Sequence, residues 1–297
     1  MAVVLGQVTA ADANPAAGHR APAGTEAVAI QPDGTDHAMG SQIRRHESIS
    51  DTVDSTGDSI GNNLMNGKRT QLAATQTPGL DVSHWQGKVN WPAAAANGAR
   101  FAYVKATEGT GYTDPTFDYQ YTGSYRAGLI RGAYHFALPN VSTGTRQADY
   151  FIAHGGGWSA DGHTLPGALD LEYNPYGKTC YGKSKAAMAA WVAGFSRRYH
   201  KRTGRWPVIY TSARWWGRCL GTTHSFAGTS RLWIARYNSS IGALPYKWGT
   251  HTIWQYSSTP ITRTRSTEHC PECAHWPEAS PALSEVNASS FHGINLR

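Results

Sequence analysis

Between residues 79 and 258 short apolar runs rich in β-branched and aromatic side chains alternate with longer helical stretches, and Gly or Pro marks many of the junctions. A chain with that rhythm forms strands joined by crossover helices, so its sheet is mainly parallel and covered by helices. The spacing predicts strands at 79–83, 101–105, 130–136, 167–172, 208–211, 232–237 and 252–256. The plainest helices fall at 115–127, 145–154 and 184–203, the last with Ser184 as N-cap and Gly204 as C-cap. Strands this short, joined by connections of crossover length, fit an irregular TIM-like β/α barrel better than a doubly wound sheet. In such barrels the loops converge at the C-terminal ends of the strands, so polar residues there are the candidates for a site.

The flanks read differently. Residues 1–78 hold few aromatics and runs such as DTVDSTGD at 51–58, a composition that cannot offset its ordering entropy, and they are expected to be a largely disordered leader or linker. The opening MAVVLGQVTAADA leaves two readings open. One is the back half of a signal peptide whose start codon is assigned too late; the other is an ordinary flexible terminus. Residues 259–297 form an atypical tail of mixed polarity with no Asp and no convincing periodicity. Its Cys270-Pro-Glu-Cys273 has no second CxxC and no thioredoxin-like context, and His269 and His275 add little. No metal and no cofactor are expected.

Of 297 residues 40% are hydrophobic and 11% aromatic, enough for a sizeable core. No run approaches the roughly 18 to 20 apolar residues of a spanning helix, so no membrane insertion is expected. The excess of 27 Lys and Arg over 20 Asp and Glu suits a polyanionic partner such as nucleic acid, an anionic membrane or an acidic cell wall. The basic residues are scattered, with no recognition-helix or RNP pattern, which argues against nucleic acid.

Several expected strands end in polar residues: Asp81, Lys105 with Glu108, His135, and Asp170 with Glu172. Asp170 and Glu172, two residues apart on a strand, leave the same face with Cα atoms roughly 6 to 7 Å apart. Asp81 faces them if the barrel closes. Glycoside hydrolysis needs carboxyl groups in unlike environments, one protonated to donate to the leaving oxygen and one ionised to stabilise positive charge at the anomeric carbon. Glu172 is the expected general acid. Trp85, Tyr134, Tyr173, Tyr210, Trp233, Tyr237, Trp254 and Tyr256 lie near the same ends, and aromatic faces stack on the C–H faces of sugars. Tyr134, His135, Lys105, Glu108, Tyr210, Trp233 and Trp254 are the substrate-binding candidates.

The ordered blocks GLDVSHWQGKVNW, FAYVKATEGTGYTDPTF, IRGAYHFALP, LPGALDLEYNP, VIYTSARWW and IWQYSS resemble the lysozymes of glycoside hydrolase family 25, among them actinomycete N-acetylmuramidases of the Chalaropsis type. The similarity covers about 78–258, so 79–258 is expected to be the catalytic barrel. The resemblance implies cleavage, with retention, of the β-1,4 bond from N-acetylmuramic acid to N-acetylglucosamine in peptidoglycan by a secreted enzyme, here expected to act as a monomer. It also implies catalytic roles for Asp81, Asp170 and Glu172, groove positions for Tyr134 and the Trp233 region, and a disulfide between Cys180 and Cys219. Retention has two routes, in which either the substrate's acetamido group or a carboxylate is the nucleophile. Chitinases carry a further aspartate where Ala168 stands, which argues against that activity. After Ser258 the family pattern of a last aspartate-bearing strand and a closing helix is missing. Reading back-translated 268–278 two bases out of phase yields ALSRVRALAG, similar to that helix, so the tail is expected to be a frameshift product. A barrel that binds cell wall without turnover is the alternative expectation.

Overall fold

The computed structural model describes residues 37–47, 77–238, 240–257 and 292–296, the last stretch as backbone. The chain builds one curled sheet from β1 (Thr77–Val82), β2 (Phe101–Glu108), β3 (Tyr112–Thr113), β4 (Ile130–Phe136), β5 (Ala168–Asp170), β6 (Val208–Thr211), β7 (Leu232–Ala235), β8 (Ile253–Gln255) and β9 (His292–Leu296). Each neighbouring pair in the series β1, β2, β4, β5, β6, β7, β8 is parallel, and β3 is an antiparallel flap on β2. All the expected strands are present. β5 is shorter than the pattern predicts, so that Glu172 stands just beyond the ladder.

The helices obey the local signals that predict them. Before α5 (Lys185–Thr203) the Ser184 hydroxyl accepts from the Ala187 amide at 3.2 Å, and Gly204 ends the helix in the left-handed region at φ 71°. His200, Lys201 and Arg202 in its last turn suit the negative end of the helix dipole. α4 (Gly144–Phe151) stops short of the expected 154 because the chain turns through a wide π turn at Ile152–Gly156, with Gly155 at φ 100°. The remaining helices are α1 (Ser41–Glu47), α2 (Trp91–Ala96), α3 (Phe117–Arg126) and α6 (Ala213–Cys219). Outside the sheet Phe151, Phe195 and Tyr199 stack in series between α4, α5 and the strands. Inside it Tyr103, Tyr210 and Trp233 pack ring against ring. Cys180 in the loop after β5 is bonded to Cys219 at the end of α6, with Cα atoms 5.4 Å apart. Closing a loop of 39 residues in this way stabilises the fold by about 4 kcal/mol in the chain-entropy account.

Two expectations need correction. The tail does supply a strand: β9 runs antiparallel between β8 and β1, pairing Ile294 with both Gln255 and Gly79, and so closes the ring. A five-residue segment with a Gly at its second position carries no periodicity, and its partner β1 is more than 200 residues away in the chain, so nothing local announces it. Residues 37–47, within the stretch read as leader or linker, fold into a turn and α1 and pack on the rim of the barrel. Their stabilisation comes from tertiary contact, which composition does not register.

Removal of residues 292–297 opens both β1 and β8. It should lower the thermal midpoint by roughly 5–10 °C, the equivalent of a few ladder hydrogen bonds at about 1 kcal/mol each. Differential scanning calorimetry of the shortened and full chains checks this.

Candidate active site

β5 delivers the acidic pair. In parallel register Asp170 lies between Phe136 of β4 and Tyr210 of β6, and two residues on Glu172 leaves the strand on the same side. Both carboxyls are 1% exposed. Among the described residues no N–H or O–H donates to either Asp170 oxygen. Its polar neighbour is the Glu172 carboxyl, with which it can bond only if one of the two holds a proton. Burial first, and then the charge on Glu172, push Asp170 well above the usual carboxylate range. Burial also pushes Glu172 up, to about 7, against three backbone N–H groups that favour its ionised form.

Asp81, at the end of β1, completes the acidic trio and is equally buried. Gln255 of β8 donates to its Oδ2 at 2.9 Å, while the Gln255 carbonyl accepts from the Tyr210 hydroxyl at 2.6 Å and the Tyr237 hydroxyl at 2.8 Å. One amide therefore ties the first strand to the far side of the barrel.

A β-bulge at Ala106 makes the second charged group possible. Lys105 pairs with Tyr134, Thr107 with His135 and Glu108 with Phe136, so the register shift lets residues 105 and 108 face the same side of β2. The Lys105 Nζ reaches Glu108 Oε2 at 2.7 Å and lies 4.9 Å from the centre of the Phe136 ring. Burial alone would raise the Glu108 carboxyl, but Lys105 and His37 outweigh it and hold it down at about 2. Tyr176 adds a hydroxyl to Glu108 Oε1 at 2.7 Å.

The structure thus brings together Asp81, Asp170, Glu172, Lys105, Glu108, Tyr134 and Tyr210 from the expected set. It removes two. His135 points to the helix side of β4, where its ring nitrogens meet Thr107 at 2.7 Å and Gln147 at 2.9 Å and its ring stacks on Phe195; burial pushes it down to about 4. Adjacent strand residues face opposite sides, so Tyr134 and His135 cannot both face the site. Trp254 neighbours Gln255 and takes the opposite face, donating to the Arg236 carbonyl at 2.9 Å. Sequence reasoning missed Gln255, Tyr176 and Tyr181, whose hydroxyl donates to the Glu172 carbonyl at 3.2 Å. Gln255 alternates with Ile253 on β8, a signal that a strict reading of parity would have caught.

Residues 37–47 pack on the rim. The amides of Gly40, Gln42 and Ile43 donate to the Glu172 carboxylate at 2.8, 2.9 and 3.1 Å. Lys105 donates to the His37 carbonyl at 2.8 Å, and the Gly40 carbonyl lies 3.1 Å from the Tyr237 hydroxyl, whose one proton it shares with Gln255. At the other end of α1, Tyr173 and Ser212 both donate to Glu47, and His46 stacks on Tyr173 at 4.4 Å. The open depression between α4 and α5, lined by Asn140, Lys183 and Trp191 among others, has no carboxylate and is not this site.

A closed β/α ring with three carboxyl groups and a charged pair at its rim defines a barrel hydrolase site, and comparison with known proteins gives its family. The model of the glycosyl hydrolases family 25 matches residues 80–264, and the chain belongs to that family. It is 53% identical over 181 residues to Lysozyme M1 of Streptomyces globisporus, covering 61% of this chain and 62% of that protein. It is 52% identical over 183 residues to the N,O-diacetylmuramidase of Chalaropsis sp, covering 60% of this chain and 87% of the relative. Among solved structures, the bacterial lysozyme from Streptomyces coelicolor superposes with a TM-score of 0.63 at 44% identity, over 74% of this chain and 91% of that one.

The Lys105–Glu108 pair sets an acid limit. Because the folded carboxyl titrates near 2 and an unfolded one near 4.5, its stabilisation is complete above about pH 4.5 and fades as the pH falls toward 2. Glu108→Gln should cost about 3–5 kcal/mol at neutral pH by stranding the Lys105 charge. It should also flatten the fall of the thermal midpoint between pH 4.5 and 2. Melting curves across that range compare the two proteins.

Proposed function

We propose that the chain is a secreted 1,4-β-N-acetylmuramidase that hydrolyses the bond between N-acetylmuramic acid and N-acetylglucosamine in bacterial peptidoglycan with retention. The observation that carries this reading is the buried Asp170–Glu172 pair at the end of β5, opposite Asp81, in a family 25 barrel. Protonated Glu172 donates to the glycosidic oxygen as the bond from the anomeric carbon to that oxygen breaks. Ionised Asp170 then faces the developing positive charge. In the second half of the reaction a water attacks the same carbon and returns its proton to Glu172. Asp170 accepts no N–H or O–H from the described chain, so it is free to accept the N–H of a substrate acetamido group and orient its oxygen as the nucleophile. That environment favours the substrate-assisted route over direct attack by a carboxylate. Secretion is supported by the Cys180–Cys219 bond, since such bridges persist in oxidising compartments.

Glu172→Gln should keep the fold and lower release of reducing ends from purified peptidoglycan by roughly 10²–10⁴-fold, because an amide has no proton to give. Asp170→Asn should fall by a similar factor, about 10²–10³. Unchanged activity in either variant would remove that residue from the mechanism. The acid must be protonated, and burial raises it above the usual carboxylate range, so hydrolysis should be lost as the pH rises through its titration. A pH profile of the initial rate tests the alkaline limb.

A further inference from the structure

A hydrolase of polymeric sugar has to admit its substrate to the carboxyl groups, yet Asp81, Asp170 and Glu172 are each 1% exposed. Bonded to the Glu172 carboxylate at that rim is a segment of the same chain. We propose that residues 37–47 are an autoinhibitory plug, which occupies the saccharide site and must leave it before the enzyme can bind or cleave its substrate. The inference rests on the reading of this rim as the catalytic site.

The contacts are of the wrong polarity for a bystander. A glycosidic oxygen approaching Glu172 is an acceptor and requires the protonated acid. The plug instead presents the three amides of Gly40, Gln42 and Ile43, all donors, at 2.8–3.1 Å. They select the ionised carboxylate, and the proton of the pair then belongs with Asp170, which burial already disposes to hold one. The proton distribution under the plug is the reverse of the one catalysis needs. The segment also takes up the other polar groups of the rim: Lys105 through the His37 carbonyl, Tyr237 through the Gly40 carbonyl and Tyr134 through the Met39 amide.

The fit depends on one glycine. Gly40 sits at φ 82°, and a Cβ there would lie 2.0 Å from the Tyr237 hydroxyl and 2.6 Å from both the Tyr210 hydroxyl and the Gln255 carbonyl oxygen. A side chain at that position cannot enter the rim, and the turn that aims the amides at Glu172 is strained for any residue but glycine. At the far end Glu47 is a second, independent anchor, held by Tyr173 and Ser212. Being tethered, the plug competes at an effective concentration in the millimolar range, so modest intrinsic affinity suffices.

The test uses the full chain and two variants, Gly40→Val and Glu47→Ala, neither of which alters the acidic trio. Hydrogen exchange reads whether the amides of 40–43 are docked. Calorimetric titration with a soluble tetrasaccharide of alternating N-acetylglucosamine and N-acetylmuramic acid reads access, and reducing ends from insoluble peptidoglycan read turnover. The parent amides should be protected, and Gly40→Val should release them and raise saccharide affinity and hydrolysis about tenfold or more, the factor for a site open no more than a tenth of the time. Glu47→Ala should move all three readouts in the same direction by less. Free exchange in the parent chain, or released amides in Gly40→Val with saccharide affinity unchanged, would overturn the plug. Tighter binding without hydrolysis would uphold the plug and sink the muramidase reading. Equal hydrolysis by all three proteins would uphold the muramidase and sink the plug.

Discussion

Three carboxyl groups held out of water within one aromatic enclosure are the constraint to which the rest of the rim answers. Like charges so placed cannot all remain ionised. Each has a different answer: Asp81 accepts from Gln255, Glu172 accepts backbone amides, and Asp170, with no donor from the described chain, is pushed toward its protonated form. The buried rings of Tyr103, Tyr210 and Trp233 exclude water from the enclosure, which strengthens every charge interaction within it. The same enclosure that makes the fold costly to ionise gives two neighbouring acids unequal affinities for a proton.

Which side chains share that enclosure is decided by strand parity and by one break in it. On β4, Tyr134 and Phe136 face the interior and His135 faces the helices. On β2 the bulge at Ala106 brings Glu108 round to the side of Lys105 and leaves Thr107 to pair with His135 behind the sheet. Were β2 to pair regularly through Ala106, Lys105 and Glu108, three residues apart, would face opposite sides of the sheet and the ion pair could not form.

The expected strands, the capped helix α5 and the spacing of Asp170 and Glu172 were legible because each is a local pattern: apolar runs, a serine before a helix and a glycine after it, two residues on one face. The family blocks carried Asp81 and Tyr134 with them, and Lys105 stood out as a polar residue near a strand end. His135 and Trp254 were misplaced because a residue near a strand end can face either side of the sheet, and the parity of the strand was not applied. Gln255 was overlooked because an amide attracts no attention until its three partners from β1, β6 and the loop after β7 converge on it. β9 and residues 37–47 lay beyond reach for another reason. Both are short and locally featureless, and both are stabilised by contacts with distant parts of the chain.

β9 pairs residues 292–296 with residues that precede it by more than two hundred positions. The ring therefore cannot close during synthesis until nearly all of the barrel has left the ribosome, and until then β1 and β8 wait with open edges. Residues 37–47 emerge before any strand of the barrel. The order of translation thus places the occupant of the rim in solution ahead of the rim itself, and the barrel assembles around a segment that is already there.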